Sequence, residues 1–422
     1  YGCGSSSSTT TIGSTAKTVT TSHTETTSTI DEDAGTETTI TIITTVNTTT
    51  DGIHNPSTIE TITETTTTIT NLETAASETT VDSVANTVNR ESEMRLTTNQ
   101  IIDLTVIPAI TQFNAEASSL NTKSQEFCAD LSLQNLNVAQ SQWQATHSTW
   151  FRVAPFLFGP ANVRDARLTP IFWYIDSHRN NGTDYTGQIR TNITNLLGNN
   201  TKLDSSFFSN MTYNQVGLLS IEAVLFERNS DLSTDTSDIL SEFESNDRNC
   251  NLLTGFTNEL ARQADLITNG WTGNYRETGS DYKTLLLNEQ LEEVLDDETG
   301  ESPIQKIIVS AQEYFDYLNK RDVSSSIAQI SNNNFSALLA SAQATNDLFN
   351  LTVSETYSLL GLIEFNGYQQ DAETVATNLQ AFSDAVNAEI HEDIGNYAVA
   401  LDGNLKREIP DGLSLSLGLN FS

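Results

Sequence analysis

From about residue 90 onward the apolar positions recur at the three-to-four spacing of an amphipathic helix, as in Leu285, Leu287, Leu291, Val294 and Leu295, or Ile304, Ile307, Ile308, Ala311 and Phe315. Such spacing draws one apolar stripe along each helix, and the stripe must be buried against a neighbour. It predicts helices over roughly 97–129, 133–150, 215–227, 236–269, 282–297, 302–329, 335–350 and 370–389. Pro108 should kink the first of these, because proline within a helix removes a backbone hydrogen bond. Ser302 followed by Pro303 reads as an N-cap with proline at the first helical position, a sharp start. These helices on short links predict an all-α fold of two up-and-down four-helix bundles, the first over about 91–270 and the second over about 271–422. Between residues 151 and 214 the pattern loosens around Gly159, Pro160, Pro170, Gly182 and Gly187, so a long irregular connection is expected there. The tail 413–421 alternates like a strand.

The first 90 residues read differently. Residues 1–80 hold 40 Ser or Thr, ten acidic residues, one Lys and no aromatic beyond Tyr1. That composition offers too little apolar surface to offset chain entropy, so 1–90 is expected to be a largely disordered Thr/Ser-rich tether. Eighty flexible residues would span about 50 Å end to end. The segment 39–46 has strand propensity but no apolar neighbour, which leaves strand and disorder both open. Val81, Val84 and Val88 predict a helix running into the fold. All four Trp, all 17 Phe and 19 of the 20 basic residues follow residue 80, so the fold is expected in 91–422.

The 422 residues carry 55 Asp plus Glu against 20 Lys plus Arg, a formal charge of -35. Nucleic acid and anionic membrane surfaces are therefore poor partners. No run of eighteen apolar residues occurs, so no transmembrane helix is expected. The sequence contains neither a phosphate loop nor a serine-nucleophile motif.

Cys3, in Gly2-Cys3-Gly4-Ser5-Ser6, resembles the cysteine that receives lipid in a bacterial lipoprotein, with a Ser/Thr spacer behind it that would give an anchor reach. The other reading is an isolated cysteine in a tail. Cys128 and Cys250 form an even pair inside the expected fold and would be a disulfide in an exported protein, or else two buried thiols.

The order Ile107-Pro108, Phe127-Cys128, Trp143 with Trp150, and Phe156-Leu157-Phe158-Gly159-Pro160 resembles the imelysin family. So do Gly217 to Phe226, Arg248-Asn249-Cys250 followed by Trp271, and the closing Leu417-Gly418-Leu419-Asn420-Phe421. The resemblance implies an exported, often lipid-anchored helical protein linked to iron acquisition, in a family historically called a peptidase. The family signature is Gly-x-His-x-x-Glu, whose three-residue spacing puts His and Glu on one helix face as a potential metal pair. Gly217 and Glu222 match it here, but Leu219 occupies the His position, so the metal pair is degraded. Glu222 lies among apolar residues and needs a cationic or hydrogen-bonding partner. Arg152, Arg164, Arg167, Arg179 and Arg190 make the nearby connection locally basic. They suggest either an anion or ligand cleft at the bundle junction, walled by Glu222 and an Arg, or a buried Glu–Arg clamp. His147 and His178 lack metal-site spacing and could join Glu222 only through the fold.

The expected function is that of an exported, lipid-anchored binding protein of a Gram-negative cell envelope, periplasmic or surface-exposed. It would be linked to iron acquisition and hold its ligand at the bundle junction without catalysis. Its expected partners are the membrane, through a lipid on Cys3, and an iron-uptake protein or small ligand; iron or another divalent cation is the candidate ion. A structural or adhesive surface protein is the alternative. A metallopeptidase would need three protein ligands and an open metal position, and Leu219 argues against it.

Overall fold

The computed structural model describes residues 9–13, 16–31, 33–50, 56–163, 169–291, 301–320, 327–353 and 356–415. Cys3, Arg164, Arg167 and the tail from 416 lie outside them. The chain forms two compact units, Tyr1–Leu96 and Thr97–Ser422.

The first unit corrects the expectation of a disordered tether. It is an antiparallel meander of β1 (Thr9–Gly13), β2 (Ala16–Asp31), β3 (Thr36–Thr50), β4 (Pro56–Asn71) and β5 (Ser77–Asn89), paired in sequence order. Its first strand is short and the other four are long. The physical reason is that Thr, Ile and Val are all β-branched and stiff at χ1, which suits a pleated surface even where no large core exists. Antiparallel pairing sets each strand against the next, so segment 39–46 becomes part of the central strand, with Ile42 opposite Glu25 on one side and Thr65 on the other. Hydroxyl pairs bridge neighbours, as Thr26 with Thr41, Ser28 with Thr39 and Thr68 with Thr79. Each such cross-strand pair contributes a few tenths of a kcal/mol, roughly 0.2–1. Val81, Val84 and Val88 lie in β5, not in a helix.

The second unit is helical. Its elements are the part of α1 (Arg90–Ile101) from Thr97 onward, then α2 (Ile107–Ala129), α3 (Leu133–Val153), α4 (Ile171–Ile175), α5 (Thr186–Leu197), α6 (Ser205–Ser209), α7 (Leu218–Phe226), α8 (Thr236–Ser245) and α9 (Arg248–Thr272). After them come α10 (Tyr282–Leu287), α11 (Pro303–Lys320), α12 (Asn334–Asn350), α13 (Leu359–Phe365), α14 (Gln369–Asn387), α15 (His391–Lys406) and α16 (Glu408–Leu413). The long first helix of the sequence reading is continuous but carries a π-helical turn, Ile102–Val106, just ahead of Pro108. Widening the turn accommodates a residue that cannot donate. The expected helix over 236–269 is two, broken at Asn246 and Asp247. The loose stretch 151–214 contains α4, α5 and α6, and the tail begins in α16 rather than in a strand.

α2 packs against α3 and α9, and α7 fits beside α3 and α9; α11 packs on α15, α14 on α15 and α12, and α12 also lies along α3. Trp143, Trp150, Trp271, Tyr282 and Tyr314 are among the largest side chains wholly inside. The Phe-Gly-Pro segment has a direct packing role. Phe158 meets Trp271 edge-on at 5.3 Å, and Trp271 meets Tyr282 at 4.9 Å. Gly159 has φ of 55°, and a Cβ there would lie 2.3 Å from the Tyr282 ring, so only glycine lets the chain turn across that cluster.

Cys128 at the end of α2 and Cys250 in the first turn of α9 form a disulfide, with Cα atoms 5.5 Å apart and a sequence separation of 122. Closing a loop of that length removes unfolded-state entropy on the order of 4–5 kcal/mol. Cys128→Ser with Cys250→Ser should therefore lose about 3–5 kcal/mol in denaturant unfolding, and reductant should destabilise the wild type by a similar amount but leave the variant unchanged.

Candidate functional site

α7 is apolar on nearly every side, and all but its last residue are buried. It begins at Gly217, whose φ of 87° and neighbours exclude any side chain, since a Cβ would approach the carbonyl oxygens of Tyr174 and Ile175 to 2.6 Å. The motif glycine thus seats the start of α7 directly on the end of α4. Trp143 Nε1 donates to the Leu218 carbonyl at 3.1 Å and fixes the same turn from α3.

Leu219 and Glu222, three residues apart, face one cleft of about 360 Å³. Its wall also includes Asp184, Arg190, Glu227 and the 328–330 stretch that precedes α12. Glu222 is 1% exposed. Its Oε1 accepts from the Ser331 backbone N–H at 2.9 Å and from the Ser331 hydroxyl at 2.7 Å. Burial pushes its carboxyl up to about 7; the two Ser331 hydrogen bonds oppose that, and the Glu227 charge adds to it. The expected partner is therefore a pair of neutral donors rather than a cation.

The Arg–carboxylate pair exists one turn further on. Arg190 grips Glu227 with two parallel bonds, Nε to Oε1 at 2.7 Å and Nη2 to Oε2 at 2.6 Å, and Glu227 is nearly fully buried. The hydrogen bond and charge of Glu227 raise the guanidinium above its ordinary value, against partial burial that works the other way. Asp184 is held below the usual carboxylate range by Thr186, whose N–H donates to it at 2.8 Å, against partial burial that works the other way.

Of the other sequence candidates, Arg152 spans to α12, donating to Asp347 at 2.8 Å and to Gln343 at 3.3 Å, and it does not line the cleft. Arg179 lies over the Tyr317 ring at 4.3 Å and the Tyr314 ring at 5.6 Å. Arg164 and Arg167 fall outside the described residues. His147 stacks on Trp143 at 4.8 Å, and its Nδ1 accepts from Asn333 Nδ2 at 3.2 Å. Burial, with His178 nearby, drives it down to about 3, so it is neutral at any physiological pH. His178 is buried with neither ring nitrogen hydrogen-bonded among the described residues. Neither histidine lines the cleft, and no group of three His, Cys, Asp or Glu side chains gathers to hold a metal among the described residues.

Besides Glu227, sequence reasoning missed Ser331 and Asn333. Both come from the link before α12, 109 and 186 positions from Glu222 and His147, and no local pattern marks such a return. Asn333 Nδ2 also donates to the Gln144 carbonyl at 3.1 Å, so this link is tied to both α7 and α3.

The Imelysin family model (peptidase M75) matches residues 106–397, and the chain belongs to that family. Two solved structures share its fold. An imelysin-like protein from Psychrobacter arcticum 273-4 superposes with a TM-score of 0.56 at 14% identity, over 79% of this chain and 98% of that one. A protein from Parabacteroides distasonis ATCC 8503 described as an iron-regulated protein A precursor gives a TM-score of 0.51 at 13% identity, over 77% and 94%. Among curated proteins none matches significantly.

The raised Glu222 carboxyl sets a pH dependence whose sign is fixed. Between the unfolded value near 4.5 and the folded value near 7, the native state keeps a proton that the unfolded chain has released. That contribution is full below pH 4.5 and is lost as pH rises through 7. Glu222→Gln keeps an acceptor for Ser331 without a charge to desolvate. Its stability relative to wild type should rise between pH 5 and pH 8, by on the order of 2–3 kcal/mol in paired urea titrations.

Proposed function

We propose that this chain is an exported imelysin-family binding protein, anchored to the cell envelope through a lipid on Cys3 and linked to iron acquisition, that holds a ligand or partner at the Glu222 cleft without catalysis. In this reading its helical unit works as two bundles, α2–α3–α7–α9 and α11–α12–α14–α15, that meet where α12 lies along α3, with the cleft beside that junction. The observation that carries the reading is Leu219. It lies at the motif position where a histidine would supply the second metal ligand, and its side chain is 8% exposed on the cleft wall. A leucine there fits neither metal chemistry nor water activation.

The sign of the ligand follows from the lining. Arg190 is the only cation on the cleft wall among the described residues, and its Nε and Nη2 are both committed to Glu227. With Asp184, Glu222 and Glu227 the wall carries three carboxyls against that one guanidinium. The cleft thus suits a ligand that presents positive charge, in place of the anion suggested by the basic connection. Because Glu222 must give up its proton to meet a cation, binding should tighten with rising pH around 7.

The adhesive reading gains from one observation, the ordered five-stranded Thr-rich sheet at the N-terminal end of the chain, which offers an extended surface rather than a simple spacer. It would apply if the cleft proved empty of ligands.

Calorimetric titration of the full chain with ferrous, ferric, zinc and calcium ions tests the proposal, together with an assay of peptide hydrolysis. The wild type should show no hydrolysis and no stoichiometric site for a bare ion, while Leu219→His should gain zinc affinity by roughly tenfold or more through the added imidazole. Stoichiometric metal binding by the wild type that Glu222→Gln abolishes, accompanied by hydrolysis, would overturn it in favour of a metallopeptidase.

A further inference from the structure

A second groove, of about 530 Å³, lies away from the Glu222 cleft and shares none of its lining residues. Asn192 from α5, Asp204, Phe207 from α6, Asn210, Met211 and Gln215 form its wall. The short helix α6 is held in place by Phe208, which meets Phe256 at 5.3 Å and lies over α9 where Gly255 has no side chain to obstruct it. With Phe208 taking the core contact, Phe207 is left half-buried at the groove.

The polar groups there are partly spent in a consistent way. Asp204 accepts the Phe207 N–H at 3.0 Å and pairs with Lys202 at 2.9 Å, so the only carboxylate on the wall is already matched by a cation. Asn210 donates through Nδ2 to the Ser206 carbonyl at 2.7 Å, which leaves its Oδ1 as an acceptor. Gln215 accepts the Thr212 N–H at Oε1, which leaves its Nε2 donors. Asn192 Nδ2 is buried with no hydrogen-bond partner among the described residues. A buried amide donor left alone costs about 1–3 kcal/mol, and a turn of the Asn192 side chain toward the groove would let a ligand recover it.

We propose that this groove is a binding subsite for a neutral pyranose sugar. Its wall offers amide donors and an amide acceptor beside one aromatic face, with no unmatched charge. Sugar hydroxyls both donate and accept, so they satisfy planar amides in either sense, while the apolar C–H face of the ring covers a phenyl group. A charged ligand would find no counter-ion that is not already paired. The subsite is independent of the Glu222 cleft, and the failure of either assignment leaves the other intact.

Ligand-observed NMR and calorimetry of the full chain with glucose and N-acetylglucosamine as probes test the assignment. Saturable binding of at least one sugar in the millimolar range is expected. Phe207→Ala and Asn192→Ala should each weaken it by roughly tenfold while the melting temperature holds. Should an alanine variant fail to fold, Asn192→Asp keeps the shape but replaces the donor with an acceptor and should weaken binding similarly. Absence of saturable binding by both sugars overturns the proposal, as does binding that the variants leave unchanged.

Discussion

The helical unit depends on one costly placement, a carboxyl group in the middle of an apolar helix. Glu222 is buried on α7 with no cation against it, and an unpaired charge there would be prohibitive. The chain meets this in two ways. Burial raises the carboxyl so that it holds a proton near neutral pH, and Ser331 supplies two donors from the link before α12. That link is pinned again by Asn333 to α3, so satisfying one carboxyl draws distant parts of the sequence together. Gly217 makes the arrangement possible by letting α7 start in contact with the backbone of α4.

Much of this was legible in the sequence, for identifiable reasons. The 3.6-residue period gave most of the long helices, and the need of Glu222 for a partner followed from its apolar neighbours. The disulfide followed from an even cysteine pair, and the motif glycine and the family from the order of short motifs. What was not legible is of two kinds. Ser331 and Asn333 lie in a link with no periodicity and reach their partners across more than a hundred residues. The Arg–Glu clamp was anticipated as a type of interaction, but Glu227 could not be picked out, because ion-pair partners are chosen by three-dimensional proximity and not by spacing.

The N-terminal sheet teaches a separate lesson. Its Thr-rich composition lacks the apolar content of a core, and a criterion based on core burial assigned it to disorder. Strand pairing between successive β-branched segments rests on another balance, in which backbone hydrogen bonds and cross-strand hydroxyl and methyl contacts repeat along long strands. Thr39 to Val46 shows the difference. Alone it is ambiguous, whereas between β2 and β4 it is paired on both sides.

Glu222 is a buried carboxyl held by the backbone and hydroxyl of Ser331. Its carboxyl carbon can be followed directly by carbon-13 NMR across a pH titration, with the assignment made from Glu222→Gln. A midpoint near 7 is predicted, moving higher when Ser331→Ala removes the hydroxyl donor that favours the charged form. A midpoint in the ordinary carboxylate range, unmoved by Ser331→Ala, would contradict the account.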